Sequence, residues 1–176
     1  NILSTLSPRN GHLFSKHLFS HGGSLPLNQS GRCLCGDISY RFNSSNVLSA
    51  HHCHCTDCQK YTGSGKATII YISRRNIITT REPKYFEQRG SIGLRVRRGF
   101  CRNCGSGILS YIRELPMLIF VKAGTLDDSS WLEIESSFFV RSAQQWDLPD
   151  KSIKCFRKNP SLFSNIKTIY RSITGR

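Results

Sequence analysis

The sequence predicts an all-β fold, and three observations lead to that prediction. About eight short segments either alternate apolar and polar residues or are rich in β-branched residues, the two patterns typical of strands. Residues that favour turns, such as Gly, Pro, Asn and Ser, separate these segments. Between residues 31 and 150 no segment shows clear helical spacing of apolar residues, so strands are expected to form the core.

The first strands follow from local patterns. Residues 37–42 alternate in polarity and predict a strand, and the Asn- and Ser-rich residues 43–46 predict a turn. Residues 67–72 form a β-branched run typical of a buried strand. Residues 76–80 and 84–88 predict two short strands on either side of a Glu-Pro pair.

The later strands are predicted in the same way. Residues 94–100 alternate again, and residues 107–112 form the next strand. Leu115-Pro116 is expected to break the run before a buried strand at residues 117–124. A last strand is expected within residues 133–142, centred on Phe138-Phe139-Val140.

A C-terminal amphipathic helix is predicted after Pro160. It would pack on its own sheet, the commoner outcome, or on a partner. Its apolar residues at helical spacing are Leu162, Phe163, Ile166, Ile169, Tyr170 and Ile173.

Charge divides the 176-residue chain into three parts. The formal net charge is +14, yet the acidic residues all lie between Asp37 and Asp150. We therefore expect a loosely ordered N-terminal arm (1–30), a central folded domain (31–150) and a basic C-terminal extension (151–176). Since the tails supply most of the excess charge, a nucleic-acid-binding fold is not favoured. A solvated tail is favoured over one that contacts nucleic acid or an anionic surface.

Neither a membrane-spanning run of apolar residues nor an apolar signal peptide is visible in the sequence. The expected location is therefore intracellular, in a reducing compartment, most simply the cytoplasm.

The chemistry of the chain centres on three closely spaced cysteines, Cys53, Cys55 and Cys58. Thiols at this density usually bind a soft metal, and zinc is the default. In an extended segment Cys53 and Cys55 point to the same side, while the Cys-x-x-Cys step bends the backbone around an ion. Three protein ligands with one open position are typical of a catalytic zinc.

Two further pairs flank this cluster. Cys33 and Cys35 lie upstream, and Cys101 and Cys104 lie downstream. Together they make a closed set of four thiolates, typical of a structural zinc. The sequence therefore predicts two Zn²⁺ per chain, with Cys155 left over.

Three alternatives compete with an open second zinc site. A disulfide framework is disfavoured because joining Cys-x-Cys neighbours makes a strained ring. His51, His52 or His54 would close the fourth position, His54 being the least suited because it points away from Cys53 and Cys55. A redox pair of Cys55 and Cys58 is disfavoured because no helix start is expected to lower a thiol pKa there.

A series of short motifs runs through residues 31–150. They are Gly31-x-Cys33-x-Cys35-Gly36, Cys53-His54-Cys55-x-x-Cys58-Gln59, Gly63-Ser64, Arg97-Arg98-x-Phe100-Cys101-x-x-Cys104-Gly105-Ser106, Ala123-Gly124-x-Leu126-Asp127-Asp128 and Trp146. These motifs resemble the GFA family, named for the glutathione-dependent formaldehyde-activating enzyme and including centromere protein V. The resemblance implies a zinc-bearing β-tent fold with zinc sites of four and three cysteines.

The chain departs from the family pattern at three places. Lys66 stands where an aromatic residue is common, Gly107 stands where Pro is common, and Ser136 and Ser137 lie where a His is common. These departures leave the predicted zinc ligands unchanged and bear on the substrate pocket.

The resemblance implies a carbon–sulfur lyase or synthase that joins glutathione, or a related thiol, to formaldehyde or another small aldehyde. An open zinc would deprotonate the thiol or polarise the aldehyde. The adjoining loop, with Gln59, Lys60, Gly63 and Ser64, is expected to shape a thiol-substrate pocket. The alternative is a non-enzymatic, zinc-stabilised binding module with basic tails, like centromere protein V.

Overall fold

The computed structural model describes residues 28–90, 93–160 and 169–174. The predicted N-terminal arm therefore lies almost wholly outside the described residues. Within them, α1 (Thr56–Thr62) follows the third strand, and residues 169–174 are helical. The strands are β1 (Gln29–Arg32), β2 (Ser39–Phe42), β3 (Val47–Cys53), β4 (Ala67–Ser73), β5 (Ile77–Thr79), β6 (Lys84–Arg89), β7 (Arg95–Phe100), β8 (Gly107–Ile112), β9 (Leu115–Lys122), β10 (Ser136–Phe138) and β11 (Lys154–Phe156).

These strands form two sheets. The larger has eight strands in the order β11-β10-β3-β4-β9-β8-β7-β6, and the smaller has three in the order β1-β2-β5. Strand β10 pairs in parallel with β3 and β11, while the other neighbours are antiparallel. The prediction of an all-β fold of short strands is confirmed, and the antiparallel pairing expected of them holds everywhere in the described residues except at β10.

The main core lies where the two sheets meet. Tyr40 and Phe42 of β2 share one buried cluster with Ile70 of β4 and Val121 of β9. Each such side chain contributes about 1.5–3 kcal/mol when fully buried. Because side chains alternate along a strand, the residues between these core positions point to the opposite face of the large sheet.

That opposite face is also covered, by a second and smaller cluster. Cys53, Cys58, Ala67 and Ile69 are buried there, with Tyr71 and Phe120 packed against them. The functional candidates lie on this face. Strand β4 is thus buried on both sides, which explains its nearly continuous apolar sequence.

Two sequence-based predictions are wrong. Leu115-Pro116 does not break the chain, because β9 begins at Leu115. Pro116 is tolerated there since it lies beside a shift in the β8–β9 register, where a ladder hydrogen bond is not required. The core also contains a helix, α1, whose seven residues are too few for an apolar repeat to reveal it.

The predicted C-terminal helix is described only in part. Residues 169–174 are helical, and Ser73 Oγ donates a hydrogen bond to Ser172 O at 2.8 Å. This turn therefore docks against the end of β4, while Leu162, Phe163 and Ile166 lie outside the described residues. No helix in the described part of the chain is long and apolar enough to cross a membrane.

Candidate metal centres

Cys33, Cys35, Cys101 and Cys104 form a four-thiol centre, with all four sulfur atoms within 4.8 Å of one another. The sulfurs of Cys33 and Cys35 are 3.6 Å apart, and those of Cys35 and Cys101 are 3.8 Å apart. A tetrahedral zinc with Zn–S bonds of ~2.3 Å places its sulfurs ~3.8 Å apart, whereas a disulfide places them at ~2.05 Å. All eight cysteines are free thiols, so the arrangement fits a metal and not a disulfide framework.

Two tight turns present these thiols. Cys33 and Cys35 lie in the β1–β2 connection and Cys101 and Cys104 in the β7–β8 connection, so the centre joins the two sheets. Gly105 has a φ of 76°, a left-handed conformation that glycine adopts without strain, and its N–H bonds to Cys101 O at 2.9 Å. The Ile38 N–H donates to Cys33 Sγ at 3.3 Å, a bond that favours a thiolate.

Cys53, Cys55 and Cys58 form a three-thiol centre, and their sulfurs also lie within 4.8 Å of one another. Cys53 ends β3, Cys55 caps the N-terminus of α1, and Cys58 lies in its first turn. In residues 28–90, 93–160 and 169–174 no fourth Cys, His, Asp or Glu joins this group. The donor set therefore fits a metal with three protein ligands.

The start of α1 corrects an argument made from the sequence. A redox role for Cys55 and Cys58 is disfavoured above because no helix start was expected, yet Cys55 caps a helix and its sulfur accepts from the Cys58 N–H at 3.4 Å. What sets this pair apart from a simple redox pair is Cys53, which brings a third thiol to the same point.

The three histidines beside the centre have other roles in the structure. The His51 ring lies 4.4 Å from the Phe138 ring, and its Nδ1 is 2.9 Å from Ser136 Oγ. His52 Nδ1 is 3.1 Å from Thr68 Oγ1. His54 is fully buried, with neither ring nitrogen hydrogen-bonded within the described residues. None of them belongs to the three-thiol centre.

Two buried cations lie near the thiols. Hydrogen bonds from Cys53 and Cys55, together with the charges of Lys122 and Arg98, hold the pKa of the Cys58 thiol well below its ordinary value. Burial lowers the pKa of the Lys122 ammonium, whose Nζ lies 5.3 Å from the centre of the Tyr61 ring. The local charge thus favours a thiolate at Cys58, whereas the neighbouring thiols and burial raise the pKa of Cys53 and of Cys55.

A cavity of ≈ 150 Å³ opens beside the three-thiol centre. Its wall is mostly apolar, and the polar groups on it are few. Residues from β4, β7, β8, β9 and β10 contribute, including Ile69, Tyr71, Val96, Ile112, Phe120 and Phe138. Such a mixture of apolar wall and few polar groups is typical of small-molecule sites.

The predicted thiol-substrate residues do not line this cavity. Gln59 instead donates hydrogen bonds from Nε2 to His54 O and to Ser142 O, both at 2.7 Å. Lys60 lies in the last turn of α1, Gly63 ends that helix, and Ser64 follows it. These four residues shape the loop beside the thiols without contributing to the cavity wall.

Two of the departures from the family pattern have local structural partners. Lys66 pairs with Asp147 in a partly buried ion pair. Gly107 lies against Tyr61, whose Cζ would be 2.7 Å from an added Cβ. Gly107 thus makes room for Tyr61, which donates from its hydroxyl to Gly99 O at 2.7 Å.

Sequence reasoning missed Arg98, Ser110 and Lys122 as cavity residues. All three line the cavity, from three adjacent strands. One sequence feature could have pointed to the cavity, namely the charged Lys122 at the end of an apolar strand. A lysine is seldom fully buried unless it is paired.

The fold and the site together define an all-β protein with one closed and one open cysteine centre. Residues 28–142 match the family of the glutathione-dependent formaldehyde-activating enzyme, GFA. The chain belongs to this family.

A crystal structure of a Rhodobacter sphaeroides protein is similar to 58% of this chain and 91% of its own chain, with 20% sequence identity and a TM-score of 0.44. No curated protein matches the chain at a significant level of sequence similarity.

Proposed function

We propose that this protein is a zinc-dependent carbon–sulfur lyase or synthase, which adds glutathione or a related thiol to formaldehyde or another small aldehyde. The observation that carries the proposal is the three-thiol centre at the wall of a cavity, with no fourth side-chain ligand in the described residues. Family membership supports the same reaction class.

Each centre would hold one zinc ion. Cys33, Cys35, Cys101 and Cys104 would hold the structural ion, and Cys53, Cys55 and Cys58 the catalytic one. When bound, the catalytic zinc supplies Lewis acidity, which lowers the pKa of a thiol or polarises an aldehyde oxygen.

The chain itself contributes position, charge and exclusion of water. Helix α1 and strand β3 fix the three thiolates from two directions. Arg98 and Lys122 carry positive charge that favours the thiolate form of Cys58. The aromatic wall, with Tyr71 and Phe120, would shield one side of the reacting groups from water and so strengthen these electrostatic interactions.

The state of the cysteines also bears on the cellular compartment in which this activity would take place. Free thiols in all eight cysteines suit a reducing, intracellular compartment such as the cytoplasm. Residues 31–150 would form the zinc domain, and residues 1–30 and 151–176 its extensions.

The reaction can be tested by exchange spectroscopy. Free glutathione adds to formaldehyde readily without a catalyst, so the rate of interconversion at equilibrium, measured by NMR exchange, is the suitable readout. The metal-loaded protein should accelerate exchange, and Cys58→Ser should abolish the acceleration. Cys155→Ser, which changes an exposed cysteine outside both centres, is the matched control and should retain it.

A null result would be decisive if metal content is measured on the same sample. Two zinc ions per chain without acceleration, and without glutathione binding at millimolar concentration, would contradict the lyase proposal. The binding-module alternative would then be the better account.

A further inference from the structure

Three buried polar side chains line the cavity beside apolar residues of the same strands. Arg98 lies on β7, Ser110 on β8 and Lys122 on β9, three neighbouring strands of the large sheet. Arg98 and Ser110 are direct cross-strand partners, so their side chains leave the same face side by side. Their exposed fractions are 6%, 2% and 8% respectively.

Two of these groups have no hydrogen-bond partner within the described residues. They are Arg98 Nη1 and the Ser110 hydroxyl. The other terminal nitrogen of Arg98, Nη2, lies 3.6 Å from Asp57 Oδ2, so one carboxylate already faces part of the guanidinium. A buried donor left unpaired costs about 1–3 kcal/mol, and more when it is charged. Two adjacent ones on a cavity wall therefore indicate a ligand that accepts hydrogen bonds.

The chemistry of these groups points to a carboxylate. A guanidinium presents its N–H donors in a planar arrangement that matches two carboxylate oxygens. Ser110 adds a hydroxyl donor on one side, and Lys122 adds a second positive charge to the wall. Neutralising the three thiolates would explain the charges of Arg98 and Lys122, but it leaves the unpaired Ser110 hydroxyl without a role.

The rest of the cavity limits the ligand's size and polarity. A dry cavity of about 150 Å³ holds a molecule the size of benzene, and this one has a volume of ≈ 150 Å³. Tyr71, Val96, Ile112 and Phe120 would contact the body of the ligand, which must therefore be apolar. The cavity is open to solvent on one side, so a molecule as large as glutathione would enter it with one end only and leave most of its length outside.

We propose that the cavity binds a small carboxylate with an apolar body, held by Arg98 and Ser110, with its reactive end toward the three-thiol centre. This inference rests on the proposed function for the reaction at that end. The carboxylate belongs to the aldehyde substrate, which would make it an oxo acid, or to the thiol substrate.

The site can be tested by equilibrium binding, without any turnover. Titration calorimetry on the metal-loaded full chain compares 3-methylbutanoate with 3-methylbutanamide, which has the same shape and no charge. The acid is expected to bind at least tenfold more tightly. Equal binding of the acid and the amide would overturn the proposal.

Variants locate the site. Arg98→Gln should remove the preference for the acid over the amide, and Ser110→Ala should weaken that preference several-fold. Arg98→Lys should show an intermediate preference because it keeps the charge but loses the planar donors. Arg95→Gln, on the same strand but the other face, is the matched control and should bind as wild type. If Arg98→Gln folds and still prefers the acid over the amide, Arg98 does not bind the carboxylate. If Arg98→Gln does not fold, an undiminished preference for the acid in Arg98→Lys would contradict the same assignment.

Competition separates the two sources of the carboxylate. Displacement of 3-methylbutanoate by glutathione, but not by its diethyl ester, would assign the site to the thiol substrate. Retention of the probe in the presence of bound glutathione would assign it to the aldehyde, the outcome that the cavity volume favours. An active lyase without acid preference would refute this inference alone, whereas acid binding without exchange activity would refute only the proposed reaction.

Discussion

Replacing one cysteine in each centre should have opposite consequences for the fold and the site. Cys101→Ser removes a thiol that is fully buried in the main core, from a centre that joins the two sheets. A structural zinc contributes about 10–16 kcal/mol in small zinc domains. Whole domains are stable by about 5–15 kcal/mol. The loss of that ion is therefore comparable to the entire stability of the fold, and Cys101→Ser should not fold.

Cys58→Ser should behave differently. Cys58 is buried in the smaller cluster, and its centre lies within one sheet and the helix beside it. Loss of that ion opens no connection between the sheets. We expect folded protein with one zinc per chain, compared with two in the wild type, and no exchange activity.

The assay combines metal analysis, circular dichroism and thermal unfolding on the two variants and the wild type. Cys155→Ser is the control for the loss of a thiol that belongs to neither centre. If Cys58→Ser and Cys101→Ser both fail to fold, or both remain folded, the two centres do not have separate catalytic and structural roles.

Three further predictions concern packing, hydrogen bonding and metal removal. Gly107→Ala should lower stability by about 1–3 kcal/mol because its Cβ would overlap Tyr61, whereas Gly124→Ala, which meets nothing within 4 Å, should leave the melting temperature unchanged. Gln59→Leu leaves two carbonyl groups without a donor and should cost about 1–3 kcal/mol in urea unfolding, while Gln88→Leu on β6 should cost less than half as much. A chelator at neutral pH should remove one zinc within minutes and the second only when the protein unfolds, because three thiols beside a cavity hold the first, whereas four thiols that join the two sheets hold the second. Simultaneous loss of both ions from folded protein would contradict this.

Local patterns were enough to predict most strands and the grouping of the cysteines. Strands β4, β6 and β8 were recognisable because polarity or β-branching is visible within six or seven residues. The grouping of the cysteines into four and three followed from ligand spacing alone, and the sulfur distances agree with it. Apart from the meeting of the two cysteine turns, the order of the strands within the sheets could not be predicted.

The cavity illustrates that limit. Ser110 lies twelve residues after Arg98 in the sequence, and Lys122 lies twelve residues after Ser110. The three side chains come together only through the order of β7, β8 and β9 in the sheet. Neither that strand order nor the parallel placement of β10 beside β3 has a short-range sequence signal. The substrate loop was predicted from its closeness to the thiols in sequence, whereas the cavity wall combines the thiol segment with residues from other strands.

The position of the four-thiol centre also bears on how the chain assembles. Its two pairs come from connections 66 residues apart, as Cys35 and Cys101 show. A covalent cross-link closing a loop of that length would reduce the entropy of the unfolded chain by an amount worth about 4 kcal/mol. An ion that binds all four sulfurs early would act as a reversible tether of the same kind, so the availability of zinc during synthesis should govern the yield of native protein more than its final stability does.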